Sequence, residues 1–240
     1  MPGVVGVQSY TYRKFNVLQA IDEACAAGAR ALELWPGHLA PDAPASEVQA
    51  VLDHARAKGV RICGYGVVGL SAKATEPSLT FAQRIGCDYV SIDVRPQDSA
   101  DRDAAVALAE RLGLKLGIHN HGPGHHYDTI DSVARVLEGQ PAAFGACVDT
   151  GHFLRADQDP VAAIDRLGRR VHAVHLKDFV DKDTEVMPGK GSLDMVAALR
   201  ALRRSGFSTA YVLEYEADEN NPTPAVRQAV ASVADGLGRA

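Results

Sequence analysis

The chain has 240 residues, of which 46% are hydrophobic and 23% are charged, as in an ordinary globular protein. Its formal net charge of -5 provides no broad basic surface for a phosphate backbone, which argues against nucleic acid as a partner. Scattered cysteines, no secretory signal and no apolar run near the roughly 18 residues that span a bilayer predict a soluble, cytoplasmic protein without membrane contact.

Eight short apolar runs, rich in β-branched residues, predict strands along the chain. Their nearly continuous apolar character is typical of parallel strands that are covered on both faces. The runs are residues 4–9, 31–35, 61–68, 89–94, 114–120, 144–149, 172–178 and 210–215.

Amphipathic segments that predict helices separate these strands. They are residues 16–28, 46–59, 101–113, 128–139, 159–168, 192–206 and 221–238. Their apolar residues recur at steps of three and four, and a glycine follows the last turn, as at a helix end. Ser46, Asp128 and Ser192 are the predicted N-caps of three of the helices.

Eight strand–helix units predict a (β/α)8 TIM barrel. No linker or change of composition divides the chain, so we expect residues 1–240 to form a single barrel domain. The alternative is a doubly wound open sheet. That fold normally has fewer strands, and no glycine-rich dinucleotide motif follows the first predicted strand.

Polar residues end several of the predicted strands. Because the carboxyl ends of barrel strands meet at one rim, these side chains should converge there. Asp149, His175 and Glu214 end three neighbouring strands, and His119 ends the strand before them. Such residues often serve as helix caps or salt-bridge partners. Several acids buried in one barrel mouth, however, need a compensating cation. The full set is Glu33, Asp93, His119, Asp149, His175, Lys177 and Glu214.

Four motifs carry a resemblance to a known superfamily. They are "CVDTGHF" (residues 147–153), "VHLKD" (174–178), "PGKGSLD" (188–194) and "VLEYE" (212–216). In this order they resemble the xylose isomerase-like TIM barrel superfamily, and most of all its sugar phosphate isomerase/epimerase family. The superfamily also includes hydroxypyruvate isomerase, ketose 3-epimerases, inosose and 3-dehydroshikimate dehydratases, and type IV apurinic endonucleases.

The resemblance implies a site for one divalent metal ion. Matched to the motifs, Asp149, His175 and Glu214 are three of its ligands. Where the family often has the Glu of "ENHG", this chain reads "HNHG", which puts His119 in the fourth position. An imidazole there removes one negative charge from the site. Mn²⁺ is the expected ion, with Co²⁺, Zn²⁺ or Mg²⁺ as alternatives.

More histidines follow in the same stretch and after Asp149. The resemblance puts His121 and His152 close to the metal, in contact with the substrate or with a ligand side chain. His125 and His126 belong to the loop "GPGHHYD", and they either touch the substrate or are solvated.

Four other residues have a functional and a structural interpretation each. Arg155 would pair with a substrate carboxylate or phosphate, or lie exposed at a helix entry. Lys177 would stabilise an enolate, or form a structural salt bridge. Glu33 would bind a substrate hydroxyl, or anchor a neighbouring side chain. Trp35, the only tryptophan, would form a wall for a sugar ring, or pack in the core.

The leading functional hypothesis is a metal-dependent isomerase or epimerase acting on a small carbohydrate or keto-polyol. Glu214 would remove the proton next to a carbonyl while the metal stabilises the enediolate. A metal-bound imidazole at His119 could not readily shuttle a proton, so His121 or Glu33 would be the second acid or base. Dehydration, in which a β-hydroxyl leaves, is the alternative on the same barrel.

Two other classes stay open. A zinc phosphodiesterase of the apurinic-endonuclease type would share part of the ligand set. Such an enzyme would also need a basic groove and an Asp-x-His pair. The loop "DKDTEVMPGKG" lacks that pair. A catalytically inactive binding barrel is the other class. By analogy with barrels of this size, the chain is also a candidate homo-oligomer.

Overall fold

The computed structural model describes residues 3–240, which form the predicted barrel. The parallel barrel strands close in the spatial order β1-β10-β7-β6-β5-β4-β3-β2, and a separate hairpin pairs β8 with β9. The strands are β1 (Val5–Gln8), β2 (Ala31–Leu34), β3 (Arg61–Gly69), β4 (Tyr89–Asp93), β5 (Lys115–His119), β6 (Phe144–Asp149), β7 (Val171–Leu176), β8 (Asp178–Phe179), β9 (Glu185–Val186) and β10 (Tyr211–Leu213).

Helices cover the outside of the barrel, and their apolar faces form the main core together with the outward faces of the strands. Two of them, α3 and α6, had not been predicted. The helices are α1 (Val17–Ala26), α2 (Ala45–Ala57), α3 (Thr75–Arg84), α4 (Ser99–Leu112), α5 (Ile130–Leu137), α6 (Thr150–Arg155), α7 (Pro160–Leu167), α8 (Met195–Ser205) and α9 (Thr223–Arg239).

The three predicted N-caps were wrong by one or two residues. Ser46 lies inside α2, which begins directly after Pro44. Thr129 caps α5 through a reciprocal pair of hydrogen bonds with Ser132. Asp194 caps α8 by accepting a hydrogen bond from the backbone N–H of Ala197. In the last two cases a neighbouring residue with an equally good capping side chain holds the position.

The barrel interior has its own small core below the rim. Tyr89 is its largest member, and the other residues are small. Gly64, on the adjacent strand, lies against the Tyr89 ring, where a Cβ would be only 2.4 Å from the ring carbon that bears the hydroxyl. A glycine at this position therefore makes room for the ring inside the barrel. The cluster consists of Ala31, Cys63, Tyr89, Cys147, Ala173, Ala210 and Val212.

All four cysteines are free thiols, as expected for a chain without a disulfide pattern. Within residues 3–240, every helix is too short or too polar to cross a membrane.

His172, at the start of β7, makes the stability of the fold depend on pH. Its side chain is buried and donates from Nδ1 to the carbonyl oxygen of Leu116 at 2.9 Å. Burial lowers the pKa of His172 from 6.5 to about 4. Below about pH 6.5 the unfolded chain takes up a proton that the folded chain does not accept until about pH 4, so stability falls through this window.

We expect the wild type to lose about 2 kcal/mol more unfolding free energy between pH 7 and pH 5 than the His172→Gln variant. Glutamine can keep a hydrogen bond but does not titrate. Urea unfolding of both proteins across this range checks the difference. Parallel pH curves for the two proteins would show that His172 does not cause the dependence.

Candidate metal centre and active site

Four buried side chains meet at the rim of neighbouring strands. His119 ends β5, Asp149 ends β6, His175 lies in β7 and Glu214 follows β10. One ligand atom from each lies within 4.8 Å of the others. His119 Nε2 is 3.0 Å from His175 Nδ1 and 3.7 Å from Asp149 Oδ2, and His175 Nδ1 is 3.4 Å from Glu214 Oε2. The rim thus brings the four predicted ligands together.

The surroundings of the Asp149 carboxylate show whether a cation fits this cluster. Its Oδ1 accepts the backbone N–H of His152 at 2.8 Å and caps α6. Its Oδ2 is buried and has no hydrogen-bond partner within residues 3–240. Burial raises the pKa of the Asp149 carboxyl to about 7. A cation would supply the missing partner, and two carboxylates with two imidazoles are a suitable donor set for a divalent transition metal.

The two histidines of the cluster offer ring nitrogens to such an ion. Burial lowers the pKa of His119 well below its ordinary value, so this imidazole is neutral, and its Nδ1 is buried without a hydrogen-bond partner in the described chain. His175 is oriented from behind by Glu33, whose Oε2 lies 2.8 Å from His175 Nε2. Burial opposes a charge on His175, but Cys147, Glu33 and Glu214 raise its pKa well above the ordinary value, so the ring is cationic at neutral pH. Glu33 holds the Nε2 proton, and a cation would replace the proton on Nδ1, which faces the cluster.

Glu33 does not lie where a substrate hydroxyl could reach it. The side chain is completely buried in the barrel, and both oxygens are engaged. Tyr89 donates to Oε2 at 2.6 Å, and Ser91 donates to Oε1. The predicted contact of Glu33 with a substrate hydroxyl is therefore corrected. The geometry agrees with the other interpretation, in which Glu33 anchors a neighbouring side chain, here His175.

Lys177 lies beside Glu214 at the same rim. It is 1% exposed, with Nζ 3.2 Å from Glu214 Oε2 and in contact with Glu216 Oε1. Burial disfavours its charge, yet Glu214, Asp149 and Glu216 raise the pKa of the Lys177 ammonium above its ordinary value. Lys177 is therefore cationic and acts by its charge, in a buried salt bridge that belongs to the site itself.

A cavity of about 250 Å³ opens above the cluster. This volume is below the roughly 300–1,000 Å³ typical of pockets for drug-sized ligands, so it suits a smaller molecule. Trp35 lines it and packs edge-on against Tyr10, with ring centroids 5.1 Å apart. Its role as a wall for a sugar ring stays a prediction. The lining residues are Gln8, Tyr10, Trp35, Val67, His119, His121, His152, Glu214 and Glu216.

His121 and His152 both face this cavity. Their rings lie 4.6 Å and 5.8 Å from the ring of His119, measured between centroids. Burial lowers the pKa of His152 to about 2 and also lowers that of His121, so both imidazoles are neutral. Neutral imidazoles at this distance can donate or accept hydrogen bonds with a ligand in the cavity.

Arg155 is not among the cavity-lining residues. Its Nε donates to the carbonyl oxygen of Lys182 at 2.8 Å, and its guanidinium lies over the ring of Phe179, 5.2 Å from the centroid. The side chain thus ties α6 to the β8–β9 segment. This contact gives Arg155 a structural role, and its pairing with a substrate anion stays a prediction.

Sequence reasoning missed three polar residues that line the cavity: Gln8, Tyr10 and Glu216. Glu216 could have been found, because it lies two residues after Glu214, on the same side of an extended chain. Gln8 ends β1 and satisfies the same rim rule. Its Nε2 donates to the carbonyl oxygen of Gly66 at 3.0 Å.

Asp178, the last residue of "VHLKD", organises the following loop rather than the metal site. The buried carboxylate accepts four backbone N–H groups at 2.8–2.9 Å. A Cβ on Gly191 would lie 2.5 Å from Asp178 Oδ1, so only glycine fits so close. The N–H donors are Phe179, Gly189, Gly191 and Leu193.

We expect Asp178→Asn to release this loop, because the amide would point N–H groups at N–H donors. Hydrogen bonds to charged groups contribute about 1.5–3 kcal/mol each, so amide exchange in residues 189–193 should accelerate at least about tenfold. Hydrogen exchange with mass spectrometry measures this. Asp181→Asn is the matched control, since Asp181 is exposed and caps only residues 183 and 184. Equal exchange in both variants would contradict the role of Asp178.

Comparisons with known proteins agree with the barrel fold. A family model described as "Xylose isomerase-like TIM barrel" matches residues 21–235. The rhizopine catabolism protein MocC of Rhizobium meliloti is 30% identical over 138 residues, which are 49% of this chain and 42% of that protein. An inosose dehydratase of Geobacillus kaustophilus is 29% identical over 133 residues, 48% of this chain and 43% of the enzyme. The match thus spans less than half the length of these curated relatives.

Among solved structures, the IOLI protein with a bound zinc atom superposes with a TM-score of 0.78. The alignment covers 98% of both chains at 15% sequence identity, so it supports the fold alone. Together with the family match over residues 21–235, these findings establish the family, and the chain belongs to the xylose isomerase-like TIM barrels.

Proposed function

We propose that the protein is a metal-dependent enzyme that removes a proton next to the carbonyl of a small, sugar-like keto compound. The reaction we favour is dehydration of the inosose type, in which a β-hydroxyl leaves as water. The observation that carries the proposal is the buried cluster of His119, Asp149, His175 and Glu214 beneath a small cavity that has both apolar and polar lining residues. Because several relatives are named inosose dehydratases, we favour dehydration over the isomerisation predicted from the sequence.

Glu214 is the proposed base. Burial by itself would raise the pKa of Glu214, but Lys177 and His175 hold it well below its ordinary range, so the carboxylate is ionised at neutral pH. It also lines the cavity, where it can reach a substrate proton. A divalent cation held by the four-residue cluster would act as a Lewis acid that polarises the carbonyl and stabilises the negative charge that develops on its oxygen.

The remaining cavity residues would bind and orient the substrate. Trp35 and Tyr10 offer an apolar wall for the carbon skeleton, and His152 and Gln8 offer hydrogen bonds to hydroxyls. His121 is the proposed donor to the departing hydroxyl. In the described part of the chain no lysine or arginine lines the cavity, which favours an uncharged polyol over a phosphorylated sugar.

Isomerisation is the second candidate, and the position of Glu216 supports it. Glu216 lines the same cavity as Glu214 and follows it by two residues. Two carboxylates on one side of a substrate could move a proton between adjacent carbons of the same face. Epimerisation needs groups on opposite faces, and a ligand such as His119 is a poor proton carrier for it.

The test is a substrate panel in deuterated buffer, with protein reconstituted separately with Mn²⁺, Zn²⁺ or Co²⁺. Inososes, 3-dehydroshikimate and common ketoses are incubated and followed by mass spectrometry and NMR. Loss of one water from an inosose, with metal dependence, supports the dehydratase. Aldose–ketose interconversion without water loss would favour isomerisation. Cleavage of abasic DNA, or inactivity on all keto compounds, would contradict the proposal and point to a phosphodiesterase or an inactive barrel.

A further inference from the structure

A second group of metal-ligating side chains lies beside the four-residue cluster, outside the set proposed to hold the catalytic ion. It consists of Asp93 at the end of β4 and of His121 and His125 in the loop between β5 and α5. One ligand atom from each lies within 4.8 Å of the others. His125 Nε2 is 3.6 Å from Asp93 Oδ2, and the rings of His121 and His125 are 4.2 Å apart between centroids.

The carboxylate of this group has an unused oxygen. Asp93 Oδ1 is buried and lacks a hydrogen-bond partner within residues 3–240. The other oxygen faces His125 at a distance too long for a good hydrogen bond. An unpartnered carboxylate oxygen next to two imidazoles is the arrangement that a cation would complete.

The loop backbone brings the two histidines together. The N–H of His121 donates to the carbonyl oxygen of Tyr127 at 3.3 Å, and the N–H of His125 donates to that of Gly122 at 3.2 Å. Gly124 has a φ of +88°, which glycine adopts without strain, and its N–H donates to Asp128 at 3.0 Å. The closed turn therefore holds both rings at the rim next to Asp93.

We propose that Asp93, His121 and His125 bind a second divalent transition-metal ion, of the zinc or cobalt class. Two imidazoles and one carboxylate, with a water in the fourth position, are a common ligand set for zinc. Mg²⁺ and Ca²⁺ prefer sites made of oxygen atoms, so they are poor candidates. Ligand atoms about 2.0–2.2 Å from an ion lie roughly 3–4 Å from one another. The three ligand atoms lie within 4.8 Å of one another, and small rotations of these partly exposed side chains would bring them to that spacing.

The second site would adjoin the first. The ring of His121 lies 4.6 Å from the ring of His119, and His121 lines the cavity. An ion on His121 would add positive charge at the edge of the cavity, where it could bind a further oxygen atom of the ligand. His121 has two ring nitrogens, so one can bind the ion while the other faces the cavity.

The experiment measures metal content and does not use enzyme activity. Metal-free protein and its variants are equilibrated with Zn²⁺, separated from free ions by gel filtration and analysed by elemental mass spectrometry. The wild type should hold two ions per chain, and Asp93→Asn and His125→Ala should each hold one fewer than the wild type. Asp149→Asn should lose the ion bound by the four-residue cluster and keep the ion bound by Asp93, His121 and His125. Co²⁺ titration followed by visible absorption should show the same pattern.

The matched control is His126→Ala, which removes an exposed neighbouring histidine outside the group and should leave the content unchanged. Circular dichroism confirms that each variant is folded. Equal content in wild type, Asp93→Asn and His125→Ala would overturn the proposal, as would loss of the same ion in His126→Ala. A wild type with one ion that is lost in His125→Ala but kept in Asp149→Asn would support this site and contradict the catalytic cluster instead.

Discussion

Replacing Lys177 with methionine is expected to lower the free energy of unfolding of the metal-free protein by about 3–5 kcal/mol. The ammonium group is almost completely buried between Glu214 and Glu216. Methionine has a similar volume, so the loss would come from leaving the buried Glu214 carboxylate and the partly exposed Glu216 carboxylate without their counter-charge. A divalent cation should restore part of the stability, because it takes over the neutralisation of Glu214.

Guanidinium unfolding with and without added Mn²⁺ or Zn²⁺ measures both effects. Lys182→Met is the matched control, because Lys182 forms a salt bridge with Asp157 in which both side chains are more than half exposed. Such exposed pairs contribute about 0–1 kcal/mol. If Lys177→Met lost less than about 1 kcal/mol of unfolding free energy, or if added cation did not restore any of the loss, the proposed neutralisation of Glu214 by Lys177 would be contradicted.

The Glu214→Gln variant is expected to lose about 10²–10⁴-fold in kcat on the substrate that the panel identifies. Glutamine keeps the shape of the side chain but cannot accept the proton. It is also a weaker ligand, so the assay uses saturating metal and the bound metal is measured in parallel. Exchange of the substrate α-proton with deuterated solvent should fall together with kcat.

Glu216→Gln provides the comparison, since it removes one negative charge from the same cavity and spares Glu214. Its effect on dehydration should stay below about tenfold, and a larger effect would favour the isomerase with two carboxylates. Full α-proton exchange in a metal-loaded Glu214→Gln variant would remove Glu214 from the role of base.

The barrel could be predicted from the sequence because its strands are short apolar runs with amphipathic segments between them. Strand ends were correct to within about two residues. The β8–β9 hairpin was missed because its strands have two residues each, which is too short to show a pattern. Helix α3 was missed because its first turn is polar and contains Pro77, although a proline is tolerated there. Helix α6 has only six residues.

The candidate site was predictable to the extent that it follows from strand ends. The convergence of His119, Asp149, His175 and Glu214 needs only the rule that parallel strands end at one rim. The depth of a side chain is not visible in the sequence, so contact of Glu33 with a substrate hydroxyl and anchoring of a neighbouring side chain could not be told apart. The role of Asp178 was also hidden, because its partners are backbone N–H groups.

We propose that one divalent cation is held jointly by His119, Asp149, His175 and Glu214. Anomalous diffraction from crystals grown with manganese or zinc tests it most directly. We expect a metal peak about 2.0–2.3 Å from one atom of each of the four side chains. A peak that lacks any of these four ligands, or no peak at the rim of β5, β6, β7 and β10, would contradict it.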